Sequence, residues 1–234
     1  MPFNTDEKAS APVYARDPAV QFDSHLLTEG SLHKRLHEIN KLLFQTIKAL
    51  SLMMAERDPY TFYHQERMSK VAAAIATEIG LTENDVNIIR LAATVHDIGK
   101  IRIPIEILSK PGPIDEFEFG IIKTHPQVGY DILKTIEFPW PIAQIVLQHH
   151  ERLNGSGYPR GMTGKEILLE SKILAVADVV ESMASHRPYR PALGVNAALR
   201  EIAENRDVLY DAFVVDACIN LSKKANFTQW DLHL

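Results

Sequence analysis

Apolar residues recur at helical spacing along most of the chain, and no stretch shows the strict alternation of a half-buried strand. The first such run begins at Ser31 and predicts a helix that extends to about Arg57. One face of this helix carries Leu32, Leu36, Ile39, Leu43, Ile47 and Leu50. The pattern predicts an all-α fold whose first helix serves in packing or dimerisation.

Capping residues and helix breakers divide the rest of the chain into further helices. The predicted helices begin near Asp58, Thr82, Asp115, Gln127, Trp140, Ser171, Val195 and Asp211. The helix that begins near Asp115 is predicted to reach His125, and the one that begins near Val195 is predicted to end near Glu204. Prolines make 104–113 a connector, and the glycine-rich and proline-rich stretch 154–161 is predicted to be a shaped loop. We therefore expect one helical domain without internal repeats.

Composition narrows the class of protein. The 234 residues are 46% hydrophobic and carry a net charge of −5, which is ordinary for a soluble globular protein and does not indicate a polymeric nucleic acid partner. A single cysteine, Cys218, excludes an intramolecular disulfide and a thiolate-built zinc site, and it predicts a cytoplasmic location. The sequence has neither an apolar run of about 18 residues nor a secretory signal, so no membrane span is expected.

Polar residues that interrupt the apolar helices are the candidates for chemistry. They are His64, His96, Asp97, His125, His149, His150 and Asp178. Any one of them could be a core residue with an ordinary hydrogen-bond partner. Burying such groups independently on five helices is less expected than a shared metal site, because helical bundles build metal sites from inward-facing side chains.

The residue types predict a hydrolytic centre with two divalent transition-metal ions. Imidazole and carboxylate ligands suit iron, manganese, nickel or zinc, and seven ligands exceed the needs of one ion. Asp97 or Asp178 could bridge two ions, which together would lower the pKa of a shared water and supply a bridging hydroxide near neutral pH. Lys100 could hold a phosphate oxygen, although a lysine at a helix C-terminus is also favoured by the helix dipole.

Three separated blocks of sequence resemble the HD-GYP family, a branch of the HD phosphohydrolases. The blocks are His96-Asp97-Ile98-Gly99-Lys100, then His149-His150-Glu151 with Gly155-Ser156-Gly157-Tyr158-Pro159, then Val176-Ala177-Asp178 with Arg187-Pro188-Tyr189-Arg190. The resemblance runs from about Asp58 to Asp216. It implies a helical bundle of the HD type with a metal site in its core. It also implies that the protein hydrolyses cyclic di-GMP to pGpG or on to GMP.

The resemblance also implies roles for individual residues. The first metal would be held by His64, His96, Asp97 and Asp178, with Asp97 as the bridge, and the second would be completed by His125, His149 and His150. Lys100 would contact phosphate and act with Asp97 in catalysis. The substrate contacts would be Gly157, Tyr158, Pro159, Arg187 and Arg190. Iron or manganese is the expected metal, with nickel or zinc as alternatives.

One departure from the family pattern concerns the metal count. Members with a third metal carry a glutamate four residues before the first histidine, where this chain has Tyr60. Because tyrosine is a poor ligand for a hard divalent ion, the sequence predicts a binuclear site. Whether pGpG is hydrolysed further is left open.

The predicted organisation has four parts: a flexible tail over 1–30, the packing or dimerisation helix over 31–57, an HD-GYP catalytic domain over 58–224 and a C-terminal tail over 225–234. Two other functions remain open. One is hydrolysis of another cyclic dinucleotide or nucleotide. The other is a weakly active binding module, for which the stripe on the first helix could recruit a second copy or a signalling protein.

Overall fold

A computed structural model describes residues 29–55, 59–186 and 191–224 of the chain. The described helices are α1 (Glu29–Ala55), α2 (Pro59–Glu78), α3 (Glu83–Val95), α4 (Ile105–Leu108), α5 (Glu116–Ile122), α6 (His125–Leu133), α7 (Ile142–Gln148), α8 (Leu169–Ala184), α9 (Val195–Glu204) and α10 (Ala212–Ser222). A 3₁₀ turn, Ile98–Arg102, follows α3. Over these ranges the only β-type pairings are two isolated bridges, so the predicted all-α fold is confirmed.

The chain divides into two compact units, with the boundary after Leu42 inside α1. In the first unit the described residues belong to α1, and Leu32, Leu36 and Ile39 are each about half exposed or more. In the second unit Ile47 is buried. Residues 29 and 30, predicted as part of a tail, belong to α1, while the remainder of both predicted tails lies outside the described residues.

The core of the second unit forms where α2 packs against α3 and α8, and α8 packs against α9. Small and β-branched side chains dominate the contact face of α2, where Val71, Ala72 and Ile75 are fully buried. Such small residues let helix axes approach closely, which brings polar groups on neighbouring helices within reach of one another.

Capping explains several helix starts. The Thr82 hydroxyl accepts a hydrogen bond from the backbone N–H of Asp85 at the start of α3, as predicted. Asp115 and Glu118 form a reciprocal capping box at the start of α5.

No helix in the described ranges is long and apolar enough to cross a membrane.

Two expectations about local structure are corrected. The connector 104–113 contains one helical turn, α4. His125, expected near the end of α5, instead begins α6, because α5 ends at Ile122 and Pro126 occupies the first turn of the next helix. Proline is tolerated there since the first N–H groups of a helix have no partner within it.

Candidate metal centre

All seven predicted metal ligands converge in the second unit, where α2, α6 and α8 meet the C-terminal ends of α3 and α7. They form three overlapping groups in which the ligand atoms lie within 4.8 Å of one another: His125 with His149 and His150, His64 with His96 and Asp178, and His96 with Asp97 and His149. Six of the seven are buried or nearly so, with His150 only slightly exposed. Helices far apart in sequence thus bring their polar residues to one place.

The donor spacings fit shared metal ions. His64 Nε2 lies 3.2 Å from Asp178 Oδ1. Asp97 directs its two oxygens to different histidines: Oδ2 lies 3.3 Å from His96 Nε2 and Oδ1 lies 3.3 Å from His125 Nε2. Two donors on one ion, each bonded at roughly 2.1 Å, are separated by about 3.0–3.5 Å. The side chains therefore have the chemistry and the spacing that divalent ions require.

Backbone carbonyls orient three of the imidazoles. The Nδ1 atoms of His96, His125 and His149 lie 2.7, 2.8 and 2.6 Å from the carbonyl oxygens three residues earlier in the chain. A carbonyl can only accept, so each Nδ1 carries the proton and each Nε2 presents its lone pair to the centre.

Burial and neighbouring charges set the protonation of these groups. Burial lowers the pKa of His125 to about 4 and holds the pKa of His149 and of His150 well below the usual range, so these imidazoles are neutral. Burial opposes ionisation of Asp97, yet Lys100 and His96 hold the pKa of its carboxyl well below the usual range. Neutral imidazoles around ionised carboxylates create a strong preference for cations.

His64 differs from the other imidazoles because it contacts two carboxylates. Its Nε2 faces Asp178, while its Nδ1 makes a short hydrogen bond to Glu181 Oε2. Burial lowers the pKa of His64, but Glu181 and Asp178 outweigh that effect and raise it to about 9. Without a bound cation, His64 is therefore protonated at neutral pH.

Sequence reasoning missed Glu181, which is completely buried on α8. The available signal was its position: it interrupts an apolar helix three residues after Asp178, so the two carboxylates share one helix face. The same reasoning singled out Asp178 for interrupting that helix.

A cavity of about 600 Å³ opens onto the ligands. Lys100 lines it, with its ammonium 2.6 Å from Asp97 Oδ2. The outer wall is formed by Pro113, Ile114, Phe119, Ile122 and Tyr158. The volume of the cavity lies within the range of small-molecule sites. Its inner surface carries charged groups, and its outer wall is apolar and aromatic.

The loop 154–161 packs closely against the segment that carries the paired histidines. A methyl group built on Gly157 would lie 2.4 Å from Arg152 N and 2.5 Å from His150 O, so only glycine fits there. The Tyr158 ring packs 4.7 Å from the His150 ring, and the Tyr158–Pro159 peptide bond is cis. The close approach at Gly157 thus places Tyr158 in the cavity wall.

Glu151, which sequence reasoning quoted in a motif without assigning a role, anchors this loop. Its Oε1 and Oε2 accept hydrogen bonds from the backbone N–H groups of Arg160 at 2.8 Å and Met162 at 2.9 Å. Glu151 is buried, so both carboxylate oxygens find partners inside the protein.

The remaining predicted substrate contacts, Arg187 and Arg190, lie outside the described residues. His186, which sequence reasoning did not include among the ligands, is exposed and accepts a hydrogen bond from the backbone N–H of Ala192 at 3.4 Å. It does not belong to any of the three ligand groups.

A model of the HD domain family matches residues 48–214, so the chain belongs to this family. The relatives place it in the HD-GYP branch, as the motifs predicted. The cyclic di-GMP phosphodiesterase response regulator RpfG of Xanthomonas campestris pv. campestris is 41% identical over 196 residues, covering 83% of this chain and 52% of its own length. A cyclic di-GMP phosphodiesterase of Thermotoga maritima is 40% identical over 200 residues, covering 85% and 54%.

A 3'3'-cGAMP-specific phosphodiesterase 3 of Vibrio cholerae is 34% identical over 179 residues, covering 76% of this chain and 38% of its own length. The chain thus spans about half the length of the first two of these relatives, and less of the third.

A solved structure supports the fold alone. The HDG"Y"P protein Bd1817 of Bdellovibrio bacteriovorus superposes with a TM-score of 0.58 at 19% identity, covering 69% of this chain and 52% of its own. The predicted HD-type helical fold is confirmed. HD domains bind divalent metals, and the histidine and aspartate groups described above provide donors for them.

Proposed function

We propose that this chain is a metal-dependent phosphodiesterase that hydrolyses cyclic di-GMP to pGpG. The observation that carries the proposal is the convergence of seven imidazole and carboxylate donors, five of which line a cavity, with the two oxygens of Asp97 directed to different histidines. Two relatives named as cyclic di-GMP phosphodiesterases, about 40% identical to this chain, support the choice of substrate. The activity of the whole protein belongs to this proposal because the match spans only half of those relatives.

Iron or manganese would bind in two positions that share Asp97. One position would use His64, His96 and Asp178, and the other His125, His149 and His150. When bound, two such cations lower the pKa of a water molecule and stabilise negative charge on a phosphate. The donor set also accepts nickel or zinc, and the supply of metal in the cell decides between them.

Lys100 would contribute positive charge at the reacting phosphate. Its ammonium lies in the cavity wall beside Asp97, where it can donate a hydrogen bond to a phosphate oxygen. A fixed cation in that place stabilises the charge that develops on phosphate oxygens as the 3′ oxygen leaves. Lys100 is therefore proposed as a catalytic residue through electrostatics rather than through proton transfer.

The rim of the cavity would hold the nucleotide. Burial raises the pKa of the Tyr158 hydroxyl, so the phenol stays protonated and serves as a hydrogen-bond donor. Phe119 packs edge-on against Tyr158, with ring centroids 6.3 Å apart, and offers a second aromatic surface to a base. Arg187 and Arg190, as guanidinium groups, remain proposed contacts to phosphate or guanine.

The proposed site is binuclear, with pGpG as its product. This part of the proposal rests on Tyr60, which lies in the first turn of α2, four residues before His64. A tyrosine at this position leaves a third ion without the glutamate that the family pattern provides. Hydrolysis of pGpG to GMP is therefore not expected to keep pace with the first step.

A second candidate is hydrolysis of a hybrid cyclic dinucleotide, which the relative named as 3'3'-cGAMP-specific favours. Parallel turnover of cyclic di-GMP and 3'3'-cGAMP by manganese-loaded protein separates the two. Faster release of pGpG from cyclic di-GMP supports the leading proposal, and faster turnover of 3'3'-cGAMP replaces it. If the chain is a binding module without catalysis, it should bind both compounds and hydrolyse neither.

A cytoplasmic location and a homodimer or signalling partner belong to the same proposal. The location rests on the single cysteine, Cys218. The partner rests on the exposed apolar residues Leu32, Leu36 and Ile39 of α1.

A further inference from the structure

Four imidazoles of the metal centre donate from Nδ1, but not to the same kind of acceptor. His96, His125 and His149 donate from Nδ1 to neutral backbone carbonyls of their own helix or turn. His64 instead donates from Nδ1 to a carboxylate, that of Glu181, which lies 117 residues away in sequence. One of the two proposed metal positions is thus supported by a charge from a different helix.

Glu181 is itself held firmly in place. Arg67 Nε donates to Glu181 Oε1 at 2.6 Å, and Ser185 Oγ donates to the same oxygen at 2.7 Å. The other oxygen, Oε2, accepts from His64. A fully buried carboxylate is costly unless its oxygens have donors, and here both oxygens have them. Burial and three donors leave Glu181 little freedom to turn away from His64.

We propose that Glu181 is a positioning residue for the metal position formed by His64, His96 and Asp178. By accepting from Nδ1, the carboxylate leaves Nε2, which lies 3.2 Å from Asp178 Oδ1, as the His64 nitrogen that faces the metal position and can bind a cation once its own proton is displaced. The inference deepens the proposed function, on whose metal centre it rests.

The arrangement makes the two metal positions unequal. A carboxylate on the outer nitrogen makes an imidazole a more basic ligand, and partners of this kind typically change metal affinity by about 10–100-fold. Asp178 and Glu181 are three residues apart on one face of α8, so one helix supplies both a ligand and the group that orients the facing ligand. The position around His64 should therefore bind its ion more tightly than it would if a neutral group accepted the hydrogen bond from His64 Nδ1.

Glu181→Gln tests the role because it keeps the shape of the side chain and removes its charge. The full chain, freed of metal with a chelator, is titrated with Mn²⁺, and the electron paramagnetic resonance signal of the free ion gives the affinity of each position. We expect one of two affinities to fall by about 10–100-fold while the other is unchanged. Glu170→Gln, the same substitution in the first turn of α8, is the matched control and should leave both affinities unchanged.

Two results would overturn the role of Glu181: unchanged affinities in folded Glu181→Gln, or an equal loss at both positions, which indicates a general structural role. If circular dichroism shows that Glu181→Gln does not fold, Ser185→Ala decides instead, because it removes one donor and leaves the carboxylate. A loss confined to one position then supports the role, and no change contradicts it. Wild-type protein that binds two Mn²⁺ ions without hydrolysing cyclic di-GMP would refute the proposed function. The test of Glu181 would remain valid, because it measures metal affinity and not turnover.

Discussion

A methyl group placed on Gly99 would lie 2.0 Å from the carbonyl oxygen of His125 and 2.6 Å from Gly129 N. The 3₁₀ turn after Asp97 therefore passes in direct backbone contact with the start of α6. This contact places His125 next to Asp97, and His125 Nε2 lies 3.3 Å from Asp97 Oδ1. The glycine of the His-Asp block thus allows a close approach that joins ligands from different parts of the chain.

Gly99→Ala should lower the free energy of unfolding by about 1–3 kcal/mol, because backbone rather than a flexible side chain must move to admit the methyl group. It should also weaken metal binding, since His125 shifts with that backbone. Urea unfolding and Mn²⁺ titration measure the two effects. Gly120→Ala is the control: a methyl group there meets nothing within 4 Å inside α5, and it should be neutral or stabilising. Equal stability of the two variants would contradict the packing argument.

Glu151→Gln should loosen the loop that carries Tyr158. A glutamine offers one acceptor where two backbone N–H groups now have partners, and an unsatisfied buried donor costs about 1–3 kcal/mol. We expect a lower midpoint of urea unfolding and a higher KM for cyclic di-GMP. Glu166→Gln, at an exposed carboxylate that also accepts from backbone, should change stability by less than about 0.5 kcal/mol. An unchanged KM in Glu151→Gln would remove the link between this anchor and substrate binding.

Lys100→Gln should reduce kcat about 100–1,000-fold while leaving two metal ions bound, because it removes a charge that acts on the phosphate rather than a ligand. Turnover and metal content measured on one preparation distinguish the two effects. Lys134→Gln, an exposed lysine paired with Asp131 on α6, should have wild-type activity. Loss of metal from Lys100→Gln would mean that the lysine holds Asp97 in place instead.

Metal binding should release a proton at neutral pH. In the metal-free protein the pKa of His64 is about 9, so a cation at Nε2 must displace its proton below that pH. The affinity of this position should rise about tenfold per pH unit from pH 7 and level off above pH 9. His125, whose pKa is about 4, should add nothing in that range. Calorimetry in buffers of different ionisation enthalpy counts the protons, and release of none would contradict this protonation of His64.

The sequence allowed good predictions wherever the signal was local. Apolar periodicity and capping residues located the helices, and the helix predicted near Val195 to Glu204 spans Val195–Glu204 in the structure. Polar residues inside apolar helices, such as Asp178, marked the groups that the fold brings together. These features depend on neighbours within a few residues, which is why a single sequence reveals them.

Contacts between distant segments could not be read in this way. The approach of Gly99 to His125 spans 26 residues and depends on how α6 packs, and the pairing of Glu181 with His64 depends on the meeting of α2 and α8. Both involve residue types that also have ordinary local roles, as a turn glycine and a surface glutamate. Only the packing of the helices shows that Gly99 instead contacts the backbone of His125 and that Glu181 instead binds His64.

The most direct test of the central claim is pGpG release by wild-type protein and by Asp97→Asn, with metal content determined on the same samples. We predict about two manganese or iron ions per wild-type chain, accumulation of pGpG, and loss of turnover both after chelation and in Asp97→Asn. Undiminished pGpG release by chelated protein or by Asp97→Asn would contradict a metal-dependent hydrolysis built on Asp97, and three ions per chain would contradict the argument from Tyr60.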